Sequence, residues 1–596
     1  MKELMQKYQS RQSEFSEKAT TLKAKYDRFS IIRLVSFVVA IGIVIFLWAE
    51  IAVWAGVVAM LVAIVAFGKF MSWHQAIQKE QKHYQHLAQI NADEQTYMQH
   101  DFSPFGDGEH YQDPNHSYTY DLDVFGPYSF FQSINRTSSI IGSNALADYL
   151  KDYVGQAEIG QRQEAIQELA DKLDFRQNFQ AIGKETVDSI QHIDELKIWL
   201  NEPPFIKDNK VYQIMRWLAP VFAIVGGWLY ANGTPGILAA LSLIPAAWVL
   251  KKTLDQVNIA HNQTGKAAEI LAQYGKLMAH LEKADFNAPK LQALQSRFQS
   301  SDKLASQAIK RLSYLIEQLN LRYNGFTILI NITCLWDIHW MTKLEIWKEG
   351  YKGDLLTWFD ALAEIEALQS FGNLYHNNPE WIFPTVSDEP IFKGTDLGHP
   401  LIERTKRITN DVTIPTQGHI KLVTGSNMAG KSTFLRTVGL NIVLANIGSP
   451  VCAQAMQLPT LKVYTSMRTT DALHESTSSF YAELKRLKFI IDAVESGENI
   501  FFLLDEILKG TNSRDRHTGS RALINQLIED KGSGIIATHD LELGDLEANA
   551  AGAIENLRIE VEIKDGKLHF DYKLKKGVSV SFNATYLMKD MGIKIR

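Results

Sequence analysis

The chain has 596 residues, 46% of them hydrophobic and 21% charged, which supplies apolar material for several packed cores and argues against wholesale disorder. Its formal net charge is −6, so the total gives no support to a protein that grips phosphate backbones, for which a basic excess is usual. The only cysteines, Cys334 and Cys452, have no CxxC spacing; that excludes a disulfide framework, suits a reducing cytosol, and reads both thiols as small buried hydrophobes.

In chain order, residues 1–30 and 75–100 are charged, glycine-free and helix-favouring. They either pair as a stalk or stand as separate solvated helices. Between them lie two apolar runs, 31–48 and 51–71, each near the ~20 residues that a helix needs to cross a bilayer. Only Arg33 and Lys69 are charged within the runs, both near ends where they can snorkel, and Glu50 marks the turn. A second apolar pair, 214–230 and 236–250, is shorter and is interrupted by Arg216, Pro220 and Pro245. Lysines and arginines flank both pairs, and neither turn contains one. The positive-inside rule then predicts two transmembrane hairpins in the cytoplasmic (inner) membrane, with both turns outside and every large segment in the cytoplasm.

From 254 to 324 the pattern is again helical. Leu271, Tyr274, Leu277, Met278 and Leu281 recur at helical spacing, and a break is expected at Pro289. Residues 326–336 (FTILINITCLW) cover about half a membrane span and are followed by Asp337, His339 and Lys343. They read as a buried core helix.

The chemistry is concentrated near the C-terminus. The β-branched run IKLVT (420–424) precedes Gly425, Ser426, Asn427, Met428, Ala429, Gly430, Lys431, Ser432 and Thr433, then a helical FLRTVGLNIVLA. This is GxxxxGK[ST] between a strand and a helix. Such a loop aims backbone N–H groups at a β-phosphate, with the helix N-terminus behind them. Lys431 would reach the β- and γ-phosphates of ATP, and the Ser432 hydroxyl would ligate Mg²⁺. Further on, the strand pattern IFFLL (500–504) ends in Asp505 and Glu506, and GIIAT (534–538) ends at His539. Asp505 would hold Mg²⁺ directly or through water, Glu506 would orient or deprotonate the attacking water, and His539 would sense the γ-phosphate or the water.

At these residues the chain resembles the MutS mismatch-repair family. TGSNMAGKST (424–433) is similar to that family's TGPNMGGKST, departing at Ser426 and Ala429. LLDEILKGTNSRD (503–515) and ATHD (537–540) resemble the family's acidic strand and ATH motif, and DALHESTSSFYAEL (471–484) resembles its segment with ST-F-x-x-E. That last match selects Ser478, Ser479, Phe480 and Glu483. In the family, a serine of this segment contacts nucleotide bound by the other subunit, so the resemblance implies a homodimer with composite ATP sites. Weaker similarity extends to 121–137, to 398–401 and 410–412, and to closing helices near 577–593.

The resemblance implies an α/β P-loop (ABC-type) ATPase domain over 376–596. It would be preceded by an all-α core and lever region (101–375) holding the second hairpin, and by N-terminal helices with the first hairpin (1–100). The family's mismatch-reading domain is expected to be missing; Phe15-Ser16-Glu17 fits its Phe-x-Glu wedge only by coincidence. Two functions stay open. One is a membrane-anchored ATPase coupled to DNA, with DNA implied by resemblance alone. The other is a membrane ATPase that uses the same dimer cycle to move its hairpins, without nucleic acid.

Overall fold

A computed structural model describes residues 2–186, 190–300, 303–426, 429–468, 479–564 and 567–579. The chain opens with two long antiparallel helices, α1 (Lys2–Glu50) and α2 (Val53–Met98). Both run well past their apolar stretches, so the charged flanks pair with each other. Tyr26 stacks on His74 with ring centroids 4.0 Å apart, and Phe29 stacks on Phe70 at 5.5 Å. A Cβ on Gly56 would lie 2.9 Å from Trp48 Cβ, so glycine permits the close approach of the helices at their turn. The most apolar 18-residue windows of the two helices are 0% and 6% buried. Phe15 packs 6.1 Å from Tyr84 and belongs to a small core with Leu87, Ile90 and Ala181.

The foot of this hairpin is fixed by a buried ion pair. Glu94 accepts Arg136 Nε at 2.6 Å and Nη2 at 3.3 Å, and side-chain amide protons from Asn373 and Asn377. Tyr8 donates to Asn377 Oδ1 at 2.7 Å, and the Arg136 guanidinium lies 3.5 Å from the Phe105 ring centre. Burial pushes the Glu94 carboxyl up, but the charge and hydrogen bonds of Arg136 outweigh it and hold the group below its ordinary value.

A helical region follows. Helices α3 (Phe130–Ile134), α4 (Ile140–Lys151), α5 (Gln156–Asp171), α6 (Leu173–Gly183) and α7 (Ile190–Asn201) lead into the second apolar pair. That pair is α8 (Lys210–Ala231), then α9 (Gly236–Ala240), a 3₁₀ turn and α10 (Ile244–Thr264), with the break just before Pro245. Its apolar windows are 11% and 22% buried. Among the described residues, four helical stretches are thus long and apolar enough to cross a membrane.

Next come α11 (Ala267–Glu282), α12 (Pro289–Ser296), the two-residue strands β1 (Gln299–Ser300) and β2 (Lys303–Leu304), and α13 (Ala305–Asn320). The 271–281 stripe is buried and Pro289 opens α12, as the spacing implied. After α14 (Gly325–Cys334), the 42-residue α15 (Trp336–Asn377) runs back through the helical core. Buried carboxylates of α15 cap backbone amides of other segments. Glu366 accepts from Ser138 N and Ser139 N, and Glu345 accepts from the amides of Phe205, Ile206 and Lys207.

The expectation for 326–336 is corrected by the structure. Phe326 is 81% and Leu329 64% exposed, and Cys334 is exposed as well. The reason is placement. Helix α14 packs against α8, α10 and the start of α15 instead of entering the core. Leu335, at φ +51°, turns the chain, and a buried Arg322–Asp337 pair at 2.9 Å closes the corner beneath.

The C-terminal part holds two sheets. The smaller combines β3 (Thr385–Val386), β4 (Ile391–Leu397), β5 (Asn410–Pro415) and, after β6 (Ile420–Thr424), β7 (Ala455–Leu458), in the order β3-β7-β4-β5. The larger adds to β6 the strands β8 (Lys462–Ser466), β9 (Ile500–Asp505), β10 (Ser533–Thr538), β11 (Ile554–Lys564) and β12 (Lys567–Lys576). Its order is β12-β11-β6-β10-β9-β8, parallel except for β12. Helix α16 (Lys431–Asn446) covers one face, and α17 (Ser479–Glu495) and α18 (Ser513–Glu529) cover the other. Alternate residues of β9 feed the two cores: Phe501 and Leu503 join the α16 side, Phe502 and Leu504 the opposite side. A sheet buried on both faces reads as continuous apolar runs, as IFFLL and GIIAT do.

Replacing Arg136 with Ala leaves Glu94 buried without its cation. A destabilisation of about 3–5 kcal/mol is expected, read as a lowered unfolding midpoint of the detergent-solubilised chain. The charge-free pair Glu94→Gln with Arg136→Met should recover part of it.

Candidate functional site

The parallel register of the large sheet determines where the site residues meet. Thr424 of β6 pairs with Thr538 of β10, and Ala537 pairs with Asp505 of β9. Gly425, Glu506 and His539 therefore leave the sheet side by side. The carboxyl ends of parallel strands, at a crossover in strand order, are where α/β sheets bind ligands. Gly425 has φ +156° and passes the Ile559 carbonyl, which a Cβ would approach to 2.5 Å. Gly430, at φ +96°, caps α16, and a Cβ there would strike Tyr572 at 2.8 Å. Both positions need glycine for space, and Gly430 for its backbone conformation as well.

Lys431 opens α16 and is buried. Its Nζ donates to Gly425 O at 2.8 Å and Ser426 O at 3.1 Å, and lies 3.3 Å from His539 Nε2. Burial lowers its pKa to about 8, although Asp505 and Glu506 pull the other way. Glu506 has φ +52°, and its amide donates to Ala537 O at 2.9 Å, which pins the carboxylate at the sheet end. His539 Nε2 lies 2.5 Å from Glu506 Oε1, and Lys509 Nζ lies 3.3 Å from Oε2. The hydrogen bond from His539 leads the effects that hold the Glu506 carboxyl down at about 2, so it is ionised throughout the physiological range. Asp505 is buried at the end of β9, and its Oδ1 has no hydrogen-bond partner. A buried carboxylate oxygen left orphaned near Lys431 suits a hard divalent cation such as Mg²⁺.

Ser426, Ala429, Gly430, Lys431, Ser432 and Thr433 are thus brought to one loop and helix start, with Asp505, Glu506 and His539 facing Lys431. Asn427, Met428 and Ser478 lie outside the described residues, and Ser479 is the first residue of α17. The loop borders a cavity of about 450 Å³ whose other wall is formed by His399, Ile408, Asn410 and Tyr572. Sequence reading did not single out these four as site residues. Tyr572 carried no signal at all: it comes from β12, adopts φ +53°, and its carbonyl accepts Asn410 Nδ2 at 3.0 Å, tying the two sheets together. Burial holds the His399 imidazole down at about 4, so it is neutral near pH 7.

The opposite flank of Glu506 and His539 faces a second cavity of about 710 Å³ with Arg514, Arg516 and His517 on its walls. The turn between the flanks is held by Glu483 of α17. Its buried carboxylate accepts the amides of Leu508 and Lys509, the latter at 3.1 Å, and burial raises its pKa despite those bonds. Phe480 packs so closely on Gly510 that a Cβ there would lie 2.6 Å from Phe480 Cβ. Of the residues matched to ST-F-x-x-E, Phe480 and Glu483 therefore buttress the turn that carries Glu506. Glu483→Ala would strip two backbone donors of their acceptor, a loss of about 2 kcal/mol. Amide hydrogen exchange at Leu508 and Lys509 should accelerate by ~30-fold, with the β-strand amides unaffected.

Residues 421–589 match the family model of MutS domain V. The chain is 30% identical over 223 residues to the DNA mismatch repair protein MutS of Listeria monocytogenes serotype 4b, covering 36% of this chain and 26% of that protein. It is 30% identical over 225 residues to the protein of the same name from Fusobacterium nucleatum, covering 37% and 25%. It is 33% identical over 265 residues to the DNA mismatch repair protein MutS 2 of Haloarcula marismortui, covering 41% and 27%. The chain thus spans about a quarter of the length of these relatives. Within its C-terminal part, the chain is thus similar to the MutS family, by domain V over residues 421–589 and by about 30% identity to these relatives.

Proposed function

We propose that this protein is a Mg²⁺-dependent ATPase of P-loop type, anchored in the cytoplasmic membrane by two helical hairpins and active as a homodimer. The observation that carries the reading is the convergence of Lys431, Glu506, His539 and the unpartnered Asp505 Oδ1 beyond the parallel strand ends. The 425–433 loop would receive the phosphates, with the buried Lys431 charge facing them. Ser432 and Asp505 would hold Mg²⁺, which supplies charge neutralisation at the phosphates when bound. Glu506, kept ionised, is placed to take a proton from the attacking water, and His539 fixes its orientation. The wall of His399, Ile408 and Tyr572 offers an apolar and aromatic surface for a nucleobase. A composite site, to which Ser478 or Ser479 of a second subunit contributes, would use the open flank lined by Arg514 and Arg516.

Coupling to DNA rests on the relatives, which are mismatch repair proteins by name. The reading without nucleic acid is favoured by the net charge of −6 and by a chain of buried contacts from the site to the hairpins. Asp121 accepts Thr465 Oγ1 at 2.7 Å and the amides of Met467 and Arg468, while Arg436 of α16 donates to Asp121 O. That segment leads to Arg136 and its ion pair with Glu94 of α2.

Lys431→Ala should lower ATP affinity at least ~100-fold, and Glu506→Gln should retain ATP while hydrolysis falls ~100-fold or more. Equilibrium binding and phosphate release by the solubilised chain measure both; unchanged ATP affinity in Lys431→Ala removes the site assignment. In the same assay, stimulation by duplex, mismatched or branched DNA that fades as salt rises supports the DNA-coupled reading. Robust hydrolysis indifferent to every DNA favours the hairpin-moving one. Single cysteines at Glu50 and Asn232, in a background without Cys334 and Cys452, should label with an impermeant maleimide on intact cells. Labelling only after lysis reverses the orientation.

A further inference from the structure

Outside the nucleotide site, an uncompensated cluster of positive charge lies where α8, α13 and α15 approach the exposed α14. It comprises Arg216 on α8, Arg311 on α13 and Lys343 on α15, with the imidazole of His339, a neutral hydrogen-bonding group near pH 7, beside them. Burial, and then the Arg311 and Arg216 guanidiniums, lower the Lys343 pKa; burial, Lys343 and Arg216 do the same to His339. Among the described residues, none of these groups makes an ion pair with a carboxylate. The cluster is framed by aromatics. Lys343 Nζ lies 4.0 Å over the Trp340 ring and Arg216 5.4 Å over Trp217, and the His339 ring packs edge-on against both indoles. Arg216 Nε and Trp340 Nε1 are buried without a hydrogen-bond partner.

Like charges gathered on a surface where Arg216 and Lys343 are partly buried and Arg311 is exposed, with two unspent N–H donors, call for an anion. The surface beside them states which kind. Helix α14 is ~15 Å long, too short to cross a bilayer, yet Phe326 and Leu329 are 81% and 64% exposed, and Ile214 and Trp217 of α8 continue this apolar surface at 58% and 63%. Apolar residues above a belt of tryptophan, arginine and lysine are the composition of a membrane–water interface. We propose that Arg216, Arg311, His339 and Lys343 bind the phosphate headgroup of an anionic phospholipid whose acyl chains lie along α14 and α8. This rests on the membrane-anchored reading, and it makes α14 an interfacial element beside the second hairpin. A free phosphate shares the headgroup chemistry but has no use for the adjoining apolar surface.

The test uses the full chain purified in detergent and exposed to mixed micelles of phosphatidylglycerol or phosphatidylcholine, with retained lipid counted by native mass spectrometry. The wild type should retain phosphatidylglycerol in preference, and Lys343→Gln with Arg311→Gln should weaken that retention about fivefold per cation removed. Lys343→Arg, which keeps the charge and guards against a folding artefact, should preserve it. Equal retention of the two lipids, or unchanged retention in the double variant, overturns the proposal. Occupation by millimolar inorganic phosphate without lipid preference assigns the cluster to a soluble ion and overturns the lipid source. A chain that stays in solution without detergent overturns the anchoring reading itself, which is a separate observation from loss of headgroup preference.

Discussion

The structure of the C-terminal part depends on one constraint: three parallel strands in register bring charged residues to a shared, partly dry edge. The strands are mostly apolar, and the charged groups gather at their carboxyl ends and in the residues that follow. Lys431, Asp505, Glu506 and His539 then occupy one small volume whose burial penalises each charge by itself. Part of the cost is met internally, by His539 and Lys509 on Glu506 and by the loop carbonyls on Lys431. Part is left open, in a lysine held at about 8 and a carboxylate oxygen with no partner. The electrostatics of this edge are therefore incomplete in the chain alone.

The remainder of the molecule carries that edge outward. The 505–510 turn is held from α17 by Glu483, and α17 is held in turn by Arg486, which donates to Thr465 O and to the carbonyls of His116 and Ser117. The same helical-region segment supplies Asp121 to β8 and Asp123 to Arg468. Through Arg136 and Glu94 the chain of contacts reaches the foot of the first hairpin. Each link is buried or multiply hydrogen-bonded, which is a physical route for strain; whether it has two discrete arrangements is a matter of energetics, not of spatial continuity.

Much of the site was legible because its chemistry is local. A glycine-bracketed loop between a strand and a helix, and acids or histidine directly after apolar strands, announce themselves by spacing alone. Tyr572, His399 and Asn410 were not legible as site residues, because they reach the cavity through the pairing of distant segments. The role of Glu483 was marked by resemblance, but its action on the amides of Leu508 and Lys509 exists only once α17 is laid against β9. The misjudged helix is instructive in the same way: 326–336 is as apolar as a core segment, and composition carries no information about which surface an apolar helix meets.

By itself, the sequence determined the elements whose cause is periodicity or composition: the long apolar helices, the buried 271–281 stripe, the break at Pro289, the glycine-bracketed loop before α16 and the strands that lead to Asp505 and His539. Tertiary structure alone decided which of these ends become neighbours, since strand order and register are properties of non-local pairing. It also decided that the charged flanks of the first hairpin pair as a stalk, that Arg136 meets Glu94, and that α14 and Cys334 face outward. Those outcomes follow from burial and charge compensation between residues far apart in the chain, and no local pattern encodes them.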